Sequence, residues 1–321
     1  MVQKSSLNPV LLKTPVLFLV FNRPDTTKKV FESIRMVKPV KLYIAADGAR
    51  VTKDGETDKV NAVRSLILNN IDWPCDVFTF FRDENLGCKI AVSEAIDWFF
   101  KNEEMGIILE DDILPDLSFF RYCEELLIKY RFNQEIKMIS GNSFTTGEIN
   151  GSNSYYFSHY SNIWGWASWR RAWSKYSPEL RNWPNRRKTD FLLEIGDFNK
   201  DFVRYWRKML DKTHSGRINT WDYQWQYTIW ESKGLCITPS LNLITNLGFG
   251  MEGTHTTSPK IAFYKLHAQT LNFPLSHPDG FERNKIADRW HDLHVLDTNP
   301  SLLRRIRFHT KKILSQFKTK S

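Results

Sequence analysis

The stretch GIILEDDILPD, residues 106–116, decides how the rest of the chain is read. Three consecutive carboxylates, Glu110, Asp111 and Asp112, follow a run of Ile and Leu and precede further apolar residues. Like charges at the end of a buried run repel one another and resist desolvation, so a ligand that neutralises them is expected. In an extended strand alternate side chains share a face, which puts Glu110 and Asp112 on one side and Asp111 on the other. Hard divalent cations such as Mn2+ or Mg2+ prefer oxygen ligands, and where carboxylates are few, substrate phosphates complete the shell. The local alternative is that the acids cap the helix beginning in DDILPDLSFF, with Pro115 in its first turn. A cap needs one acid, and here there are three.

Working outward, short apolar runs alternate with amphipathic stretches. Residues 15–22, 41–48, 76–83 and 106–112 read as strands, mostly with continuous apolar cores, and residues 25–36, 57–70 and 88–102 as helices. Such βαβα alternation predicts an α/β fold with a mixed, mostly parallel sheet and helices on both faces. Ligands of such sheets bind at the carboxyl ends of strands, where Asn22, Arg23, Asp47 and the acid triplet fall.

After residue 145 the texture changes. The polar loop GEINGSNS leads into YYFSHYSNIWGWASWRRAWSKY, which holds Trp164, Trp166, Trp169 and Trp173. Flat aromatic faces can stack on sugar rings, and Trp in such numbers can equally be core; Trp164 or Trp166 is expected to line the site, with Gly165 allowing close approach. Trp169 and Trp173, at i and i+4, are expected to pack inward. Residues 190–212 and 221–232 read as helices. The glycine-rich loop from Gly248 to Thr257 reads as a lid, with Thr254 and His255 as phosphate-range donors. The expected division is 1–145 and 146–260 as two halves of one domain, and 261–321 as a C-terminal extension.

Composition narrows the function. The formal charge of +9 points towards nucleic acid only until it is located: residues 301–321 carry seven basic residues and no acid, leaving 38 basic against 36 acidic in the rest. In that segment Leu302, Leu303, Ile306, Ile313, Leu314 and Phe317 share one arc of a helical wheel while Arg304, Arg307, Lys311 and Lys318 lie outside it. A basic amphipathic helix suits an anionic membrane surface; packing on its own domain is the alternative. No early apolar run reaches a membrane span of roughly 18 residues. The four cysteines show no disulfide or zinc spacing, so a cytoplasmic protein, peripheral on the membrane's inner face, is expected.

The motif ILEDDILPDLSFF resembles the acidic motif of GT-A glycosyltransferases, specifically the N-acetylglucosaminyltransferase I family. PVLFLVFNRPDTTKKVFESI is similar to that family's first strand and Asn-Arg-Pro turn, and IAADGAR to its second strand. NIWGWASWRRAW, TWDYQW and KGLCITPSLNLITNLGFGMEGTHT resemble its later segments, in the same order. The resemblance implies a GT-A fold and an inverting transferase that moves a sugar, best matched by GlcNAc, from a UDP-sugar to a glycan or lipid-linked glycan. It maps Mn2+ (or Mg2+) onto Asp112, donor sugar and ribose onto Glu110 and Asp111, and the nucleotide base onto Arg23 and Asp47. Asp222 is implied as the catalytic base, although Tyr223-Gln224 stand where the family has one more acid; read alone, Asp222 is equally a helix cap. Lys89 is the nearest polar candidate for a nucleotide-contacting histidine. The alternatives are a sugar-phosphate nucleotidyltransferase, against which FNRPDTTKK lacks a glycine-rich loop, a non-catalytic carbohydrate-binding protein, and a retaining transferase.

Overall fold

The computed structural model describes residues 11–145, 147–248, 266–296 and 298. Elements β1 (Val16–Val20), α1 (Pro24–Val37), β2 (Lys41–Ala46), α2 (Glu56–Asn69), β3 (Asp76–Phe81), α3 (Gly87–Asn102) and β4 (Met105–Glu110) alternate as expected. Next come β5 (Ile113–Pro115), α4 (Leu117–Lys129), β6 (Ile136–Ser140), β7 (Tyr155–Ser158) and β8 (Trp166–Trp169). The short helices α5 (Arg170–Trp173), α6 (Trp183–Arg186) and α7 (Phe191–Ile195) precede α8 (Lys200–His214) and α9 (Asp222–Glu231). The last elements among the described residues are β9 (Leu235–Pro239), β10 (Ile244–Asn246) and α10 (Lys285–His294).

Eight strands form one mixed sheet in the order β3-β2-β1-β4-β8-β6-β9-β7, with only β8 and β7 running against the rest. Strand alternation splits the core between the two faces. Val16, Phe18 and Val20 of β1 pack with α1, α2 and α4, whereas Leu17 and Leu19 pack with α3, α5 and α9. A third cluster joins Trp183, Phe202, Trp206 and Trp230 of α6, α8 and α9. Not every strand is covered: β3 is the sheet edge, and its first four residues are exposed.

The structure departs from the sequence reading at three elements. Residues 190–212 form two helices, because Asp197 and Phe198 take left-handed φ values of 50° and 61°, which a right-handed helix does not accommodate. Asn199 then caps α8 by accepting from Asp201 N at 3.0 Å. Trp169 and Trp173 are both buried but share no helix face: Trp169 ends β8 and Trp173 ends α5, in clusters on opposite sides of the sheet. The cap of α4 is Asp116, which accepts from Ser118 N at 2.9 Å, and Pro115 lies in β5. Capping therefore leaves the acid triplet unexplained.

Among the described residues no helix is long and apolar enough to cross a membrane. The basic segment 301–321 and the Thr254 and His255 positions lie outside the described residues. The described part of the C-terminal extension folds back on the domain. On α10, Asp288 accepts from Ser158 Oγ at 2.5 Å and lies 3.3 Å from Arg283 Nε, while Asp292 accepts from the Tyr160 hydroxyl.

Burial pushes Asp288 up to about 7 and Asp292 up to about 6. Between the ordinary carboxylate range and those values the native state holds protons that the unfolded chain has released, so stability falls as pH rises through that window. The melting temperature of the wild-type chain is expected to decline from about pH 4 to pH 7, and Asp288→Asn is expected to flatten that slope; thermal unfolding followed across pH tests this.

Candidate functional site

The carboxyl ends of β1, β2 and β4 enclose a cavity of about 450 Å³ lined by Arg23, Asp47, Arg50, Cys88, Glu110 and Asp111, among others. Placement follows from topology, since parallel neighbours deliver their C-terminal loops to one edge. β4 ends at Glu110, and Asp111 and Asp112 turn the chain into β5, so the expected alternation of faces stops after Glu110. Asp111 Oδ2 accepts from Phe21 N at 3.0 Å. Arg23 Nη1 sits 2.5 Å from Asp112 Oδ2 and 3.8 Å from Asp111 Oδ1, so both acids turn towards one guanidinium.

The electrostatics are those of a cluster short of positive charge. Glu110 is pushed up to about 8, first by burial and then by Asp112, Asp111 and Asp222. Asp111 is pushed up to about 7 by burial and by Asp112, with Arg23 and the Phe21 N–H opposing. Cys88 opens into the cavity, yet the surrounding protein, with the charges of Glu110, Asp222 and Asp47, raises its thiol to about 12. Among the described residues no group of three or more His, Cys, Asp or Glu side chains forms a metal cage. The acids offer oxygen donors and excess negative charge that a hard divalent cation would relieve, but its shell would need oxygens from a ligand as well.

Two further residues bear on this site: Glu56, which the sequence reading did not single out, and Gly248, the first residue of the glycine-rich loop. Glu56, at the start of α2, accepts from Asn22 Nδ2 at 2.8 Å and from Arg50 N at 2.7 Å, and it pairs with the Arg50 guanidinium. Hydrogen bonding from Arg50 lowers Glu56 to about 2 despite burial. The pair ties the loop after β1 to the loop after β2. Gly248 passes so close to Asp112 that a Cβ there would meet Asp112 Oδ2 at 2.3 Å. Leu247 N also donates to Asp112 O at 2.7 Å, so the antiparallel β5–β10 ribbon fixes where the glycine-rich loop leaves the acids.

Other candidates fall out differently. The Asp47 carboxylate accepts from Gly48 N, Asn85 Nδ2, Leu86 N and Gly87 N at 2.9–3.0 Å. Those donors fill its acceptor sites, so Asp47 acts on the cavity by holding the loop that starts α3. Lys89 is not among the cavity-lining residues, which on α3 are Gly87, Cys88, Ala91, Val92 and Ala95. Trp166 is 1% exposed and packs with Trp221 and Trp225, so it has no face to offer a ligand. Gly165 serves packing: it takes φ 62°, and a Cβ there would meet Ile244 Cδ1 at 2.6 Å.

Asp222 and Trp164 instead line a second cavity of about 180 Å³, together with Asn142, Phe144, Trp206 and Tyr223. Asp222 opens α9 and accepts from the Thr220 hydroxyl. Burial raises its pKa against the hydrogen bonds from Thr220 and from the backbone N–H groups of Asp222 and Tyr223. Its charge also raises Glu110 and Cys88, which line the larger cavity. Asp222 therefore stands within electrostatic reach of the acid-lined cavity while lining the aromatic one.

No family model and no curated protein matches the sequence. Among solved structures the chain is similar to HddC from Yersinia pseudotuberculosis, with TM-score 0.33 and 12% identity over 49% of this chain and 77% of that one. It is also similar to residues 1–349 of TarS from S. aureus, with TM-score 0.40 and 8% identity over 71% of this chain and 58% of that one. Likenesses this distant carry no argument about chemistry, which rests on the residues themselves.

The two tryptophans that flank Gly165 are separable by experiment. Trp166→Ala is expected to cost about 3–5 kcal/mol of unfolding free energy, as for other large-to-small core changes. The partly buried Trp164→Ala should cost clearly less; urea unfolding of both variants gives the comparison.

Proposed function

We propose that the protein is an inverting glycosyltransferase that takes a sugar from a nucleotide-diphosphate donor, with a UDP-sugar as the best match. The observation that carries this reading is Asp222 standing between an acid-lined cavity and an aromatic one, with its carboxylate desolvated. The sequence resemblance gives the same residue the role of base. In this reading the 450 Å³ cavity takes the donor and the smaller one the acceptor.

Inverting transfer needs the acceptor hydroxyl deprotonated as its oxygen bonds to the anomeric carbon, while the bond from that carbon to the diphosphate oxygen breaks on the opposite face. Asp222 accepts the proton, and its raised pKa makes it a better base than an exposed aspartate. Asp112 would hold a divalent cation together with the donor's diphosphate oxygens. When bound, that cation offsets the negative charge developing on the leaving diphosphate. Glu110 and Asp111 face the donor sugar and ribose, and Arg23 and Arg50 supply positive charge at the nucleotide end. Asp47 keeps the α3 loop in place beneath them. The acceptor is a glycan or a lipid-linked glycan, the latter suited by the basic composition of residues 301–321.

Asp222→Asn is expected to lower transfer by about 10²-fold or more while leaving nucleotide affinity unchanged. Asp112→Ala is expected to remove the Mn2+-dependent part of UDP binding. Calorimetric titration of UDP with and without Mn2+, with product formation followed by NMR, reads both. A product that keeps the donor's anomeric configuration would end the inverting assignment, and nucleotide binding indifferent to Asp112 would end the donor site.

A further inference from the structure

The aromatic cavity carries more information than its nearness to Asp222. Its volume, about 180 Å³, is well under the roughly 300–1,000 Å³ of an ordinary small-molecule pocket, so it holds one ring and not an extended chain. Phe144, Trp164, Trp206 and Tyr223 supply flat walls, with Phe144 and Trp164 edge to face at 5.2 Å. Asn142 is 1% exposed and lines the cavity. Its Oδ1 accepts from Trp164 N at 3.2 Å, but its Nδ2 is buried without a hydrogen-bond partner. A buried donor left unpaired is costly, so the amide is set for an acceptor atom that a ligand brings.

The charges narrow the ligand further. Among the described lining residues there is no Lys or Arg; Asp222 is the only carboxylate and His291 the only imidazole. A uronate or phosphorylated ring would place an anion beside the desolvated Asp222 with no fixed cation to offset it, which a low-dielectric site penalises. We infer that this cavity is a single-residue subsite for an uncharged pyranose, one of whose oxygens accepts from Asn142 Nδ2 while a neighbouring hydroxyl faces Asp222. This deepens the transferase reading and rests on it, for it names the acceptor's reacting residue as a neutral terminal sugar. His291 and Leu296 also line the cavity, so the C-terminal extension forms one wall of the subsite.

The test uses the full chain with UDP and Mn2+ present and follows saturation-transfer NMR of methyl glucoside, methyl galactoside, methyl N-acetylglucosaminide, methyl glucuronide and glucose 6-phosphate. At least one neutral pyranoside is expected to bind, and more tightly than either anion. Asn142→Asp keeps an oxygen that can accept from Trp164 N and replaces the Nδ2 donor with a second, charged acceptor oxygen, and is expected to weaken that binding about tenfold or more. Leu296→Trp, which fills the cavity from the extension, should do the same if Asn142→Asp disturbs folding. Equal or tighter binding of the anions, saccharide binding indifferent to both variants, or no saccharide binding at all would overturn the inference. A parallel UDP titration separates the two readings. Mn2+-dependent UDP binding without saccharide binding overturns the subsite alone, whereas saccharide binding without any nucleotide binding overturns the transferase assignment and leaves a neutral-sugar site.

Discussion

The site depends on the cost of placing three carboxylates at the end of a strand whose core is buried. β4 is paired on both sides, to β1 and to β8, so its C-terminus cannot swing out to water without breaking the centre of the sheet. Glu110 and Asp111 consequently lie in a desolvated pocket with raised pKa values, and the surrounding elements supply part of what they lack. Arg23 comes from the turn after β1, and the Phe21 N–H from just beyond the end of β1. What these do not neutralise is the driving force for a cationic ligand.

A second constraint is the division of labour among polar groups at the same edge. Asp116 caps α4, Asp47 holds the start of α3, and Glu56 clamps Arg50 and Asn22. Each has its acceptor capacity taken up by protein donors, and so each builds the walls. The triplet and Asp222 are left with charge that the protein does not fully offset. The distinction lies in whether burial is offset: desolvation raises Glu110, Asp111 and Asp222, whereas hydrogen bonding from Arg50 holds Glu56 low.

The tryptophans show the same sorting by environment. Trp166, Trp221, Trp225 and Trp173 form a buried stack that fixes α5 and α9 against the sheet, which sets the position of Asp222 at the start of α9. Trp164, two residues from Trp166, is left beside the small cavity. Nothing in side-chain type separates the two; Gly165 with its left-handed φ reverses the chain between them, and the close pass of Ile244 keeps that turn in place.

The sequence by itself determined the alternation of the first four strands with three helices, because continuous apolar runs and amphipathic periods are local signals that few other structures satisfy. It also marked the acid triplet, since three like charges after a buried run conflict with local stability. Tertiary structure decided what local patterns cannot carry. The break between α7 and α8 is set by the left-handed backbone at Asp197 and Phe198, between Gly196 and the capping Asn199. The Glu56–Arg50–Asn22 clamp joins the loop after β1 to the start of α2, 34 residues on from Asn22. Asn142, Trp206, Asp222 and His291 reach one cavity from four separate segments, and only packing of the sheet, the α8–α9 layer and the returning α10 places them together. Periodicity reports which face of an element is buried; it does not report which distant donor a polar atom meets, and that pairing is what separates a wall residue from a site residue.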